Sequence, residues 1–263
     1  MPSEALPGPA LPPELLARIE DAGLNASAPP QQRWLDGWLL RLSPGKAKRA
    51  RCINALADGR RPWRERLAEA QAIYRDAGLP LIFRVTPFTQ PAGLDAWLAA
   101  QGFRRFDDTR VMVNASLADL PAALPAGQQL VAMPAADFAE QVGAWRGSPP
   151  AQREAHAERL ALAPVRSHPF ALTVQGDPVA AGQFVVEGEV VGLYDIFTPV
   201  HMRNRGYAQS LCRALLARAQ ALGARVAYLQ VDSDNTPARA VYGRLGFADA
   251  YAYGYRTDDP DAH

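Results

Sequence analysis

Residues 195–219 read DIFTPVHMRNRGYAQSLCRALLARA, and they hold the group of side chains in this chain best suited to chemistry. A strand pattern ends at Thr198, a short loop follows, and Arg203-x-x-Gly206-x-Ala208 stands where a helical pattern opens. The first turn of a helix carries N–H groups with no partner inside the helix and the positive end of the backbone dipole. A diphosphate suits that place chemically. Gly206 and Ala208 keep bulk away from where phosphate oxygens would approach backbone. Arg203 and Arg205 add charged donors. By itself the string also fits an ordinary solvated helix start, and that reading stands until a second signal agrees with the first.

The following strand and helix supply it. Residues 229–247 read LQVDSDNTPARAVYGRLGF, with Asn235, Ala238, Tyr242 and the pair Gly246-Phe247 in a regular series. Loop and series together resemble the GNAT acyltransferase superfamily, and the resemblance runs from near Gln129 to Arg256. It departs at Val200, where a proline is common three residues before the arginine; here Pro199 lies one place earlier. Ala208 fills the third glycine position, which the family tolerates.

What the resemblance implies is an α/β fold: two helices, three antiparallel strands, the loop and its helix, then strand, helix and strand, forming a mostly antiparallel twisted sheet flanked by helices. It implies acetyl-CoA as acyl donor, no metal, and transfer of an acetyl or short acyl group to a primary amine by direct attack in a ternary complex. The cofactor set it implies is Ile196, Phe197, Thr198, Arg203, Asn204, Arg205, Gly206, Tyr207, Ala208, Asn235 and Tyr242. The strand Ile196-Phe197-Thr198 splays from its neighbour in the family and leaves backbone groups for the pantetheine arm. Tyr242 is the candidate proton donor to the departing thiolate, against the alternative of a packed aromatic. Asn235 either caps its helix or reaches the arm. For a base the carboxylates at hand are Asp195, Glu187 and Asp232. Asp195 is preferred, because apolar neighbours would push its carboxyl up toward the working range. A structural role for it, or a chain of waters in place of a base, stays open. The competing function is a non-catalytic acyl-CoA sensor or interaction module.

These residues need a frame. In the C-terminal half, helices are expected over 136–145 and 150–162, three strands joined by tight turns at 176–177 and 187–189, the third over 190–198, then helix 206–222, strand 226–231, helix 236–244 and a last strand near 251–255. In the N-terminal half a short helix over 14–22 stops at Gly23, a strand covers 34–42, and Pro62 opens a helix ending before Gly78. Strand 81–85, helix 91–100, Gly102-Phe103 and strand 109–114 complete it. Helix, glycine, strand, helix, Gly-Phe and strand thus occur twice, which points to an internal repeat. In the first copy the polar groups are gone, and DGRRPWRERLAEA puts proline and tryptophan where small residues should be. The expected organisation is a tail and short helix over 1–30 with 1–13 mobile, a degenerate GNAT-like domain over 31–115, a linker over 116–127 and a catalytic GNAT domain over 128–263.

Composition narrows the classes. Among 263 residues, 28 lysines and arginines nearly cancel 27 aspartates and glutamates, so no global field draws nucleic acid or an anionic membrane. KAKRAR at 46–51 reads as a solvated strand edge or turn. Two cysteines, Cys52 and Cys212, make neither a disulfide framework nor a zinc cluster and fit a reducing cytoplasm. His156, His168, His201 and His263 lack metal spacing, Asp232 with Asp234 is too small a set for a calcium loop, and no leader or membrane span is evident. The acceptor amine, small molecule or peptide, is not encoded in a readable pattern, and a homodimer is left open.

Overall fold

The computed structural model describes residues 11–117, 123–259 and 261. Much of the expected tail, the middle of the expected linker and His263 lie outside them. The first helix, α1 (Pro13–Ala26), runs straight through Gly23. Buried Ile19, Ala22 and Leu24 offset the ~1 kcal/mol that a glycine costs inside a helix. A Cβ at residue 23 would stand 3.1 Å from Gln230 Nε2, so the small residue serves a close approach and not a stop.

The strand expected over 34–42 is a hairpin. Asp36 and Gly37 adopt φ 43° and 89°, and this Asp-Gly turn folds β1 (Gln32–Leu35) onto β2 (Trp38–Arg41) in antiparallel register. A 3₁₀ turn over Lys48–Ala50 carries the basic cluster, which is not simply solvated: Lys48 Nζ donates to Asp107 at 2.6 Å, and the Nε atoms of Arg49 and Arg51 are buried. Next come β3 (Ile53–Ala55), α2 (Trp63–Asp76), β4 (Ile82–Val85), α3 (Leu94–Ala100) and β5 (Arg104–Asn114). β3, too short to show a period, was not expected from sequence.

The remaining elements are β6 (Gln128–Ala132), α4 (Ala135–Trp145), α5 (Pro150–Leu162), β7 (Ser167–Val174), β8 (Asp177–Glu187), β9 (Val190–Phe197), α6 (Tyr207–Ala221), β10 (Val226–Asp232), α7 (Thr236–Arg244) and β11 (Ala248–Thr257). β6 was also missed. Its side chains are exposed or half-exposed, so it has no apolar alternation, and its pairing with β7 holds it.

Two compact units result, Met1–Ala26 with Arg110–Tyr251, and Ser27–Thr109 with Ala252–His263. In the first the strand order is β5-β10-β9-β8-β7-β6; in the second it is β1-β2-β3-β4-β11. Each half of the chain therefore lends its last strand to the unit built mainly by the other. The first helix likewise packs on β9 of the first unit. These limits differ from the 31–115 and 128–263 division read from sequence. The repeated order is present nonetheless, as α2-β4-α3-β5 and α6-β10-α7-β11, and the strands flanking α2 and α6 pair in parallel, β3 with β4 and β9 with β10.

Each unit has its own core. In the second, Trp38, Phe83 and Phe103 meet edge to face at 5.1 and 5.8 Å. In the first, α6 buries Leu211, Cys212, Leu215, Leu216 and Ala219, one stripe at helical spacing, and packs on β8 and β9. That packing fixes where the start of α6 stands. Among the described residues no helix is long and apolar enough to cross a membrane.

Candidate active site

The site begins with a break in the sheet. Parallel pairing of β9 with β10 runs from Val190/Val226 to Leu193/Leu229, yet β9 continues to Phe197 and β10 to Asp232. On the other side of β9, Ala181 faces Phe197 while Gln183 faces Tyr194, so β9 holds one residue more than β8 across that interval. Asp195 is in this bulge, with φ 52°. A bulge bends and twists its strand, and here it turns the end of β9 away from β10. Gly182 makes room for it: a Cβ there would lie 2.4 Å from Ile196 Cδ1.

Beyond Thr198 a 3₁₀ turn over Val200–Met202 leads into the loop, where Arg203 Nε donates to Thr198 O at 3.3 Å. Asn204 and Gly206 take φ 61° and 79°, the left-handed conformation that glycine enters without penalty, and α6 starts at Tyr207 with no side-chain cap. Its first amides are therefore left for an outside acceptor. A groove of about 700 Å³ follows, lined by Ile196, Phe197, Thr198, Met202, Arg203, Asn204, Gly206, Tyr207, Ala208, Gln209, Asn235, Pro237, Ala238, Ala240, Val241, Tyr242 and Arg244. Buried Thr198 Oγ1 has no hydrogen-bond partner, a further polar group left for a ligand.

The sequence profile of the acetyltransferase (GNAT) family matches residues 135–247, which hold the splayed strands, the loop and α7. Residues 135–247 thus form a GNAT acetyltransferase domain. It is 25% identical over 228 residues to the uncharacterized N-acetyltransferase YobR of Bacillus subtilis, covering 86% of this chain and 91% of that one. Its fold is similar to that of a GCN5-related N-acetyltransferase from Kribbella flavida, with TM-score 0.68, 18% identity, and 94% and 96% of the two chains covered. It is also similar to a tandem GNAT protein from the clavulanic acid biosynthesis pathway, with TM-score 0.57, 20% identity, and 76% and 70% covered.

Ten of the residues picked from sequence line this GNAT groove, Asn235 and Tyr242 among them; Asp195 and the exposed Arg205 do not. Sequence reading missed Arg244, Val241 and Pro237. They recur at helical spacing along α7, a signal that could have placed them on the Tyr242 side. Asn235 takes the N-cap position, its side chain accepting from Ala238 N at 3.3 Å. Asn235→Ala is expected to lower unfolding free energy by about 1 kcal/mol, measured by denaturant titration. Tyr242 is 8% exposed and packs edge to face on Phe247 at 6.2 Å. Burial pushes its phenol up from the ordinary tyrosine range, Cys212 adds to this, and the charge of Arg146 opposes it. The phenol is thus neutral at working pH.

Asp195 requires a correction. The expected upward displacement by burial is present, but His156 and the charges of Arg146 and Arg159 outweigh it and hold the carboxyl well below the usual aspartate range. Arg146 Nη1 donates to Oδ1 at 3.0 Å and Gln183 Nε2 to Oδ2 at 2.7 Å. His156 Nε2 stands 3.2 Å from Oδ2, in ion-pair range without full hydrogen-bond geometry. So bound, Asp195 is ionised and a poor proton acceptor. A depressed carboxyl stabilises the fold above its unfolded-state pKa, and that contribution disappears as pH falls through the folded value. Acid titration should therefore show a shallower loss of stability below the ordinary aspartate range in Asp195→Asn than in the wild type.

Proposed function

We propose that the protein is an N-acyltransferase that moves an acetyl or short acyl group from acetyl-CoA to a primary amine by direct attack in a ternary complex. The observation that carries this is one groove with uncapped helix amides and Gly206 along its wall, splayed backbone at Ile196–Thr198, and Tyr242 among its lining residues. These residues fit acetyl-CoA. The amides at the start of α6, with Arg203, would hold the diphosphate. Edge groups of Ile196, Phe197 and Thr198, with Thr198 Oγ1, would meet the pantetheine arm. Bound acetyl-CoA supplies an activated thioester carbonyl and a thiol leaving group. Backbone N–H groups at the bulge end of β9 would polarise that carbonyl, and Tyr242 would hand its proton to the departing sulfur. Asn235 orders the first turn of α7 and so the placement of Tyr242.

The second unit reads as a cofactor-free copy. At the entry to α2, where the repeat would put a phosphate seat, the amides of Arg60 and Arg61 already donate to the Asp36 carboxylate at 2.8 to 3.0 Å. An internal anion takes the place of a ligand. A cytoplasmic setting accords with Cys52 and Cys212, both buried free thiols.

The test is thiol release from acetyl-CoA against a panel of alkylamines, amino acids, aminoglycosides and peptides. Release above hydrolysis with at least one class supports the reading; release with none, by a protein that binds CoA, overturns it.

A further inference from the structure

A primary amine is mostly protonated near neutrality and has no lone pair to attack with until a base removes a proton. The groove wall carries no such base: its titratable side chains are Arg203, Tyr207, Tyr242 and Arg244. An acid and an imidazole lie beside its splayed-strand end, at the bulge that turns β9 away from β10. There Asp195 is met by Arg146 just past the end of α4, Gln183 from β8 and His156 from α5. The cluster adjoins the splayed end of β9, because Arg146 lies 5.3 Å over the Phe197 ring and Trp145 stacks on the same ring, which lines the groove.

We infer that His156 is the base that takes the proton from the incoming amine, with Asp195 as the carboxylate that positions it. The inference rests on the acyl-transfer reading. Asp195 cannot fill the role itself, since both of its oxygens are engaged. It does set the tautomer of its neighbour: a carboxylate against Nε2 puts the neutral ring's proton there and leaves the lone pair on Nδ1. The imidazole packs against Phe138, and its side chain is 14% exposed, enough for access. Such contacts are often loose without substrate and tighten in the reacting complex. Gln183, 2% exposed, leaves Oε1 buried with no partner, an acceptor for an N–H of the same amine. The step balances. His156 Nδ1 takes one proton from the ammonium, the freed nitrogen bonds to the thioester carbon as the C–S bond breaks, and Tyr242 protonates the sulfur; the second proton leaves the nitrogen as the amide forms and restores the Tyr242 phenol by way of water, and His156 gives its proton to solvent. The resulting imidazolium faces the Asp195 carboxylate, which offsets its charge.

Two amines separate a base from a merely structural residue. Ethylamine is protonated near neutrality, whereas 2,2,2-trifluoroethylamine is already neutral there. His156→Gln is expected to lower kcat/KM for ethylamine by about 100-fold, the lower end of what general bases contribute, and for trifluoroethylamine by no more than about threefold. Asp195→Asn should show the same selectivity at smaller size, and it carries the comparison if circular dichroism finds His156→Gln misfolded. Equal losses with both amines, or no loss with either, would overturn the assignment of His156 while leaving acyl transfer intact. A wild type that turns over no amine at all would instead sink the acyl-transfer reading and this inference with it.

Discussion

Tyr242→Phe is expected to lower kcat about 100-fold or more while the affinity for CoA stays within about twofold, because the lost interaction forms only as the thiolate leaves. The ring is buried against Phe247, and removing one hydroxyl oxygen keeps its shape, so thermal unfolding should barely move. Burial is what keeps the residue in its protonated form. It penalises the phenolate, keeps the proton on the ring oxygen in the resting protein, and leaves the positive charge of Arg146 as the group that eases its release. Stopped-flow or steady-state thiol release gives kcat, and calorimetry gives CoA affinity. A sensor that binds acyl-CoA without chemistry would show the reverse pattern, with no function lost in the phenylalanine variant.

Gly206→Glu should weaken CoA binding at least about 100-fold in a protein that still folds. Two effects act together. A side chain at φ 79° pays about 1 kcal/mol of left-handed strain, and a carboxylate a few ångströms from a diphosphate adds repulsion of about 4 kcal/mol per charge pair at an effective dielectric near 20. A Cβ at this position meets no atom within 4 Å, so steric collapse of the loop is not part of the expected loss. Gly206→Asn separates the effects, since asparagine tolerates this conformation and carries no charge. Calorimetry should show the asparagine variant within about tenfold of wild type. Equal, unchanged affinity in both folded variants would place the diphosphate elsewhere.

Part of this site was legible in advance because its signals are local. The start of α6 is written in Gly206 and the charge around it, and α7 in Asn235 and Pro237, since capping and first-turn preferences act over a few residues. The elements α4, α5 and α7 fall within a residue of their expected limits for the same reason: each is long enough for helical spacing to show. Short elements were not legible. β3 and β6 have too few or too exposed residues to show a period, and the 34–42 run was read as one strand although Asp36-Gly37 carried the hairpin signal.

Asp195 marks the limit of such reading. Its apolar sequence neighbours indicated a raised carboxyl, whereas His156, Arg146 and Arg159, distant in sequence, reverse the direction. Burial is partly readable from neighbours along the chain, but a charge partner is a three-dimensional fact.

Sequence alone determined the GNAT resemblance, the order of the helix and strand units, the anion-suited start of α6 and the position of Tyr242 on α7. Tertiary structure alone decided that β5 and β11 complete each other's sheets, that β9 carries a bulge at Asp195, and that His156 comes within 3.2 Å of that carboxylate. The division has a physical reason. Periodicity, capping and glycine conformation are energies of a few adjacent residues, whereas strand partnership and ion pairing depend on which distant surfaces the folded core brings together.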